Sequence, residues 1–284
     1  MASTKRPSAI EVNNIGTYRE ISRSFEWTTE FLNNVSVRNR IYGLVEIDVT
    51  KARSFISDQK QKTGETLSFT GWIIKCIAQA LSEHPEIQGY KKGKNKIVVF
   101  DDVDVAIVIE REFKSQQVPL GYVIRKANEK SFRQIHDEIR LAQKEEIQGN
   151  VLGNEPLPRI MQIFQHLPSF LRKIGWWQYR RDPFLKKRTM GTVAVTAVGM
   201  FGSGGGFPIM IGFHSVEFGI GGISKKTNLV DDRTETGEYL SLTVMFDEDV
   251  VYGAPAARFI YRVGDLMKNG FSLDQEEIKL SNTG

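Results

Sequence analysis

One stretch near the carboxyl-terminal end of the sequence decides the fold. It reads Met245-Phe-Asp-Glu-Asp-Val-Val-Tyr252-Gly-Ala-Pro-Ala-Ala-Arg-Phe259. The residues just before it, 239–244, alternate between polar and apolar side chains and predict a strand. The residues from Arg258 to Leu266 have the apolar spacing of a helix. The stretch therefore joins a strand to a closing helix through a turn that carries three carboxyl groups and a tyrosine.

Length and composition are those of a globular protein with one large domain. The chain has 284 residues, of which 40% are hydrophobic and 25% charged. No apolar run is long enough to span a membrane, and no secretory signal is recognisable. The single cysteine, Cys76, lies in an apolar run, so we expect a buried thiol, a reducing compartment and a cytoplasmic location.

Periodicity along the chain predicts alternating helices and strands. Asp48 is placed to cap a helix over Lys51–Lys62, Ser68 or Thr70 to cap the next helix, and Ser131 a third. The other predicted elements are a polar arm over 1–16, a helix over 18–38, strands over 40–49, 97–100, 103–110 and 118–124, and a strand over 191–198.

The second half of the opening stretch resembles the end of the catalytic domain in 2-oxoacid dehydrogenase acyltransferases and in the related chloramphenicol acetyltransferases. Their pattern is Asp-His-Arg-x-x-Asp-Gly-Ala-x-Ala-Ala-x-Phe. Glu248 stands at the position of the family's histidine, and Tyr252 at that of its second aspartate. The matching residues are Asp247, Gly253, Ala254, Ala256, Ala257 and Phe259. Further similar blocks begin at Phe69, Arg125 and Gly191, and the resemblance spans about 40–145 and 189–272.

The resemblance implies an α/β (α+β two-layer) fold, a mixed sheet with flanking helices, assembled as a homotrimer or a larger particle. Residues 40–284 would form one catalytic domain preceded by an arm and helix over 1–39. Family sites lie between subunits, so Thr196 of one chain should approach Glu248 of the next.

Acyl transfer between thioesters needs a base for the attacking thiol and a donor for the developing oxyanion. In the family the histidine is the base, and a hydroxyl on the strand equivalent to 193–198 is the donor. Thr196 occupies the hydroxyl position. The resemblance thus implies coenzyme A or an acyl-CoA, or an acyl group on another protein's carrier arm, as a substrate, and no covalently bound cofactor.

Glu248 leaves three hypotheses open. A carboxyl group of ordinary pKa, about 4.3, is some four units too weak to deprotonate a thiol efficiently, although burial can raise it. Tyr252 is able to donate a hydrogen bond to the carboxylate, which would lower the pKa again. The site has lost its activity, has acquired a different acid or base, or still transfers acyl groups.

His214 is the one other histidine that we consider for the site, because it lies in the loop before the family's next strand. A single loop histidine is also typical of a purely structural hydrogen bond. His84 has a structural position, and His136 and His166 have no partner at a spacing typical of a metal site, so no metal is predicted.

The resemblance is interrupted by a basic, amphipathic insert at about 146–188. Between Arg159 and Arg188 it has eight Arg or Lys residues and one acid, Asp182. Spacings of three and four predict two short helices broken at Pro168 and Gly175, with exposed apolar surface on Ile160, Phe164, Leu171 and Trp176. Peripheral membrane contact through 159–188 and packing against protein both fit this pattern. Because the net charge of +4 comes from this insert, nucleic acid is not an expected partner.

Overall fold

The computed structural model describes residues 36, 39–113, 116–144, 151–152, 155–156, 167–198, 205–230 and 233–273. The arm and helix predicted for 1–39 fall, apart from Ser36 and Asn39, outside these residues.

Ten strands and six α-helices follow one another in the part of the chain that is described. The strands are β1 Arg40–Asp48, β2 Tyr90–Lys92, β3 Lys96–Val98, β4 Val105–Phe113, β5 Gln116–Ile124, β6 Val151–Leu152, β7 Glu155–Pro156, β8 Val193–Ala197, β9 Val216–Val230 and β10 Arg233–Asp247. The helices are α1 Thr50–Thr63, α2 Phe69–Glu83, α3 Phe132–Lys144, α4 Ser169–Arg181, α5 Pro183–Met190 and α6 Gly253–Lys268.

Six strands form one mixed sheet in the order β1-β10-β9-β8-β4-β5. β8 runs parallel to both of its neighbours, whereas the other pairs are antiparallel. The pairs β2–β3 and β6–β7 are separate hairpins. The predicted mixed sheet with flanking helices is confirmed.

The helices α1, α2, α3 and α6 share one apolar core with one face of the sheet. α2 is the central helix of this core, since Trp72, Ile73, Ile74 and Ile77 are all fully buried. Ser68 caps it by accepting a hydrogen bond from the Gly71 amide at 3.1 Å, as predicted. Each fully buried side chain of this size contributes about 1.5–3 kcal/mol through the hydrophobic effect.

An irregular segment, residues 205–212, passes over the opposite face of the sheet at β9. Its Pro208 and Met210 lie so close to Gly219 of β9 that a Cβ there would collide with both side chains. A Cβ on Gly221 would overlap the carbonyl oxygen of Gly206. The two strand glycines are therefore needed because the covering segment touches the sheet backbone itself.

The insert folds differently from its predicted pattern. α4 begins after Pro168, as expected, but it passes through Gly175 without a break and ends before Asp182. A glycine inside a helix costs only about 1 kcal/mol, which packing can offset. The chain breaks instead at Asp182, whose Oδ1 accepts hydrogen bonds from the amides of Phe184 and Leu185 at 3.0 and 3.1 Å to start α5.

The burial of side chains on α4 corrects one prediction about the exposed apolar surface of the insert. Trp176 is only 2% exposed and packs with Tyr179, so the expected exposure of Trp176 is wrong. Leu171 is exposed as predicted, and its neighbours Ile174 and Trp177 are exposed too. The other two residues of that prediction, 160 and 164, lie outside the described residues. Within the described residues, no helix has both the length and the apolar character needed to cross a bilayer.

Candidate active site

The turn that follows β10 is built around the carboxylate of Asp247. Its Oδ1 accepts a hydrogen bond from the Asp249 amide at 3.0 Å, and its carbonyl oxygen accepts from the amides of Val250 and Val251. Asp249 is held in turn by Lys91 at 2.7 Å and by Asn39 at 3.1 Å. Partners on both sides thus fix the backbone from which Glu248 projects.

Glu248 and Tyr252 are both open to solvent in the single chain. Tyr252 is 71% exposed and precedes the first turn of α6. The amide of Glu248 donates to the carbonyl oxygen of Asn39 at 3.0 Å, but its carboxylate has no hydrogen bond to Tyr252 or to any other described residue. The hydrogen bond that Tyr252 is able to donate to Glu248 is therefore not formed within one subunit.

Thr196 lies on β8, far from Glu248 in the same chain. Its neighbours in register are Gly219 on β9 and then Thr243 on β10. From Thr243 the strand continues for four residues to Asp247, a distance of about 13 Å along the strand. Thr196 and Glu248 are consequently separated by about 13 Å along the strands and by two strand spacings across the sheet, and one chain does not bring them together.

His214 is buried at the same edge of the sheet as the Glu248 turn. Its Nδ1 lies 2.9 Å from Oε1 of Glu217, and its Nε2 lies 2.9 Å from the carbonyl oxygen of Met190 at the end of α5. The same Glu217 oxygen accepts hydrogen bonds from the amides of Phe213 and His214. Both ring nitrogens of His214 are engaged, which fits the structural hydrogen bonding considered for this residue.

Glu217 is the buried carboxylate of this pair. Burial alone would raise the pKa of Glu217, but the hydrogen bond and charge of His214 and the two amide donors lower it overall. The interaction therefore favours the ionised carboxylate and, through His214, ties the start of β9 to the end of α5.

Lys186 of α5 brings an amino group toward the Glu248 turn. Its Nζ lies 5.1 Å from the centre of the Tyr90 ring, and Asp247 acts on it electrostatically. Burial lowers the pKa of Lys186, because the charged form loses hydration, and the Asp247 charge opposes this. Burial likewise raises the pKa of Asp247. The helix of the insert thus adds a cationic group beside the turn.

A cluster of Glu65, His136 and Asp137 has the residue types of a metal site. His136 is buried, and its Nδ1 accepts a hydrogen bond from the Ser68 amide at 3.0 Å. Its Nε2 then carries the proton and faces Glu65, which Arg133 already holds through both oxygens. These atoms serve packing between α2 and α3, and we assign no metal to them.

Sheet order, helix layer and the turn after β10 define a two-layer α/β domain of the acyltransferase class. The family model for the 2-oxoacid dehydrogenases acyltransferase (catalytic domain) matches residues 36–154 and 185–273. The chain belongs to this family. The unmatched residues between these two ranges lie inside the predicted insert and contain all of α4.

Two curated relatives extend the comparison. The chain is 32% identical over 116 residues to the lipoamide acyltransferase component of the branched-chain alpha-keto acid dehydrogenase complex of Bacillus subtilis, covering 39% of this chain and 26% of the relative. It is 21% identical over 278 residues to the dihydrolipoyllysine-residue acetyltransferase component of the pyruvate dehydrogenase complex of Corynebacterium glutamicum, covering 94% of this chain and 36% of the relative. The chain thus spans about a third or less of the length of these proteins.

Solved structures share the fold. A dihydrolipoamide acetyltransferase of Azotobacter vinelandii aligns with a TM-score of 0.64 at 19% identity, covering 94% of this chain and 99% of that one. A probable dihydrolipoamide acetyltransferase of Listeria monocytogenes aligns with a TM-score of 0.61 at 19% identity, covering 90% and 96%.

Sequence reasoning named Glu248, Thr196, Tyr252 and His214 but missed two residues of this region. Lys186 had no recognisable signal, because it lies in the insert and reaches the turn only through the placement of α5. Glu217 did have one, since an acid three residues after a loop histidine can pair with it when the chain turns between them.

Proposed function

We propose that this chain is an acyltransferase domain whose site is completed by a second copy of itself in a homotrimer. The substrate would be a coenzyme A thioester or an acyl group on a carrier, and Glu248 would act where the family has histidine. The observation that carries the proposal is the separation of Thr196 from Glu248. Two positions that the family uses together lie about 13 Å apart along the strands and two strands apart across one sheet, too far to act together within one chain.

The names of the curated relatives support the class of chemistry. Both describe acyl transfer involving lipoamide or a dihydrolipoyl-lysine residue. One solved structure with this fold is the cubic core of a pyruvate dehydrogenase multienzyme complex, so assembly beyond a trimer is a further outcome that sedimentation would detect.

The exposure of Glu248 also fits a shared site. A carboxylate in water is a weak base, and removing it from water strengthens it as a base. The described residues of its own chain leave Glu248 exposed. A neighbouring subunit packed on the turn would supply the missing burial, in the same step that brings Thr196 near.

A catalytically inactive trimeric scaffold or binding module is the second candidate. It is favoured by the state of His214, whose two ring nitrogens are both engaged. Among the described residues, no imidazole at this edge of the sheet is free to replace the family's base. In this alternative, the exposed Glu248 and Tyr252 form part of a surface and do not perform acid–base chemistry.

Subunit complementation tests the proposal. Thr196→Ala and Glu248→Gln are prepared separately, and acyl transfer from acetyl-CoA to dihydrolipoamide is measured. We expect each variant to lose most of the activity. After the two are unfolded together and refolded at equal amounts, about a quarter of the shared sites should combine an intact Thr196 with an intact Glu248, because a head-to-tail interface takes one residue from each neighbour.

Matched controls separate the outcomes. Glu235→Gln removes an exposed carboxylate at the other end of β10 and should leave the activity unchanged. Variants that are inactive both alone and mixed would contradict a shared site. A monomeric wild type in sedimentation velocity would also contradict it. A trimer that neither binds coenzyme A in calorimetry nor turns over would favour the scaffold.

A further inference from the structure

Helix α4 has two apolar faces on opposite sides. At about 100° per residue, Leu171, Ile174 and Trp177 occupy one sector, and Trp176 and Tyr179 point away from it. The second pair is buried on the protein, but Ile174 and Trp177 are 59% and 56% exposed. The outer sector is therefore a solvent-facing apolar stripe on a helix that is already anchored by its inner side.

Basic side chains border this stripe, and acids are absent from it. Lys173, Arg180 and Arg181 are exposed, and α4 contains no Asp or Glu. The guanidinium of Arg181 lies 3.8 Å from the centre of the Trp177 ring, a cation–π contact. No carboxylate of the described residues forms an ion pair with these three side chains.

The helix also lies outside the framework that the family shares. The family model matches the chain up to residue 154 and again from 185, so α4 falls wholly in the unmatched part. The inner side of α4 is explained by packing with Met190 and Phe213. Among the described residues, that packing does not involve the outer stripe.

We propose that the outer face of α4 docks onto an anionic membrane surface. Leu171, Ile174 and Trp177 would enter the boundary between headgroups and acyl chains, while Lys173, Arg180 and Arg181 bind lipid phosphates. An indole at headgroup depth with cationic side chains around it is the composition of interfacial helices. Contact between two copies of this face would bring like charges together, which disfavours a symmetric protein interface.

Vesicle sedimentation tests the inference on the full chain. The probes are vesicles of phosphatidylcholine with and without one-third phosphatidylglycerol. We expect binding only to the anionic vesicles, weakened when the salt is raised from 0.05 to about 0.5 M, because the Debye length then falls from more than 10 Å to a few ångströms. Replacing Lys173, Arg180 and Arg181 with Gln should weaken partitioning about 100-fold.

Two matched variants serve as controls. Gln at Lys60, Lys62 and Lys94 removes the same charge from exposed positions elsewhere and should weaken binding far less. Ile174→Ser with Trp177→Ser should abolish binding, whereas Tyr261→Ser, which removes an aromatic residue that is 79% exposed on α6, should not. Brominated lipid should quench fluorescence in the wild type, and this quenching should be largely lost in Trp177→Phe.

Several outcomes would overturn the inference. These are no binding to anionic vesicles, equal loss in the two charge variants, and quenching retained in Trp177→Phe. A lower assembly mass for the Ile174→Ser, Trp177→Ser double variant in sedimentation velocity would instead identify the face as a contact between copies. These readouts are independent of acyl transfer, so they hold whether or not the proposed activity is found.

Discussion

Two neighbouring segments at one edge of the sheet differ in the burial of their ionisable groups. At the start of β9, His214 and Glu217 are buried and hydrogen-bonded to each other. After β10, Glu248 and Tyr252 are exposed. The segments are adjacent, since the Asp247 amide donates to the carbonyl oxygen of Ser215 at 2.8 Å. The chain therefore has an imidazole at this edge, but uses it to fix the insert and leaves a carboxylate at the open position.

The largest expected difference between the two segments is in stability. His214→Ala leaves the Glu217 carboxylate buried without its partner and should lower the free energy of unfolding by about 3 kcal/mol. Glu248→Ala removes an exposed side chain and should change it by less than about 0.5 kcal/mol. Urea unfolding followed by circular dichroism measures both. Equal effects of the two substitutions would mean that the buried pair contributes nothing beyond its exposed neighbour.

The pH dependence sharpens the contrast. The pKa of Glu217 lies below its ordinary value of 4.5 in the folded chain, so its carboxylate stabilises the fold above that pH. This contribution is lost as the pH falls through the lower native pKa. We expect the stability difference between the wild type and Glu217→Gln to be constant above about pH 5 and to shrink below 4.5. Urea titrations from pH 7 to 3 measure it, and a constant difference at all pH values would contradict the assignment.

The smallest expected effect concerns Asp247, which connects the two segments. Burial raises the pKa of Asp247, so its ionised form disfavours folding at pH values above the native pKa. Asp247→Asn keeps an oxygen for the Asp249 amide and should raise the free energy of unfolding at pH 7 by less than about 1 kcal/mol. This gain should vanish near pH 3, where the aspartate is protonated in both states. A loss of stability at pH 7 would show that its charge supports the turn.

Much of the framework could be predicted because local patterns there agree with the final packing. Ser68 and Ser131 precede apolar-periodic helices, and both accept the expected hydrogen bonds at the helix starts. Asp48 is predicted to cap α1. Its carboxylate accepts hydrogen bonds from the amide and the hydroxyl of Thr50 at the helix start, although Val49 occupies the N-cap position. The prediction of one mixed sheet came from the family resemblance, because periodicity alone does not determine which strands pair.

The insert and the site could not be predicted in the same way, because they depend on contacts between distant segments. The sequence predicts a helix break at Gly175. In the structure, Trp176 and Tyr179 pack on Phe213, which is distant in sequence, and this packing holds α4 together. Trp176 and Trp177 are adjacent in sequence, and only the contacts of the folded chain determine which of them is buried. The pairing proposed for Glu248 with Thr196 of a second copy is harder still to predict, since it depends on assembly and not on the fold of one chain.

The register of β1 sets a constraint on how this domain is made. Arg40 pairs with Asp247, so roughly 200 residues must follow β1 before its partner exists. At synthesis rates of about 5–20 residues per second, β1 waits on the order of 10–40 s. Chains interrupted before β10 leave the backbone groups of β1 unpaired, and such edges template association with other strands. Shielding of β1 until β10 has been made would therefore limit such association during synthesis.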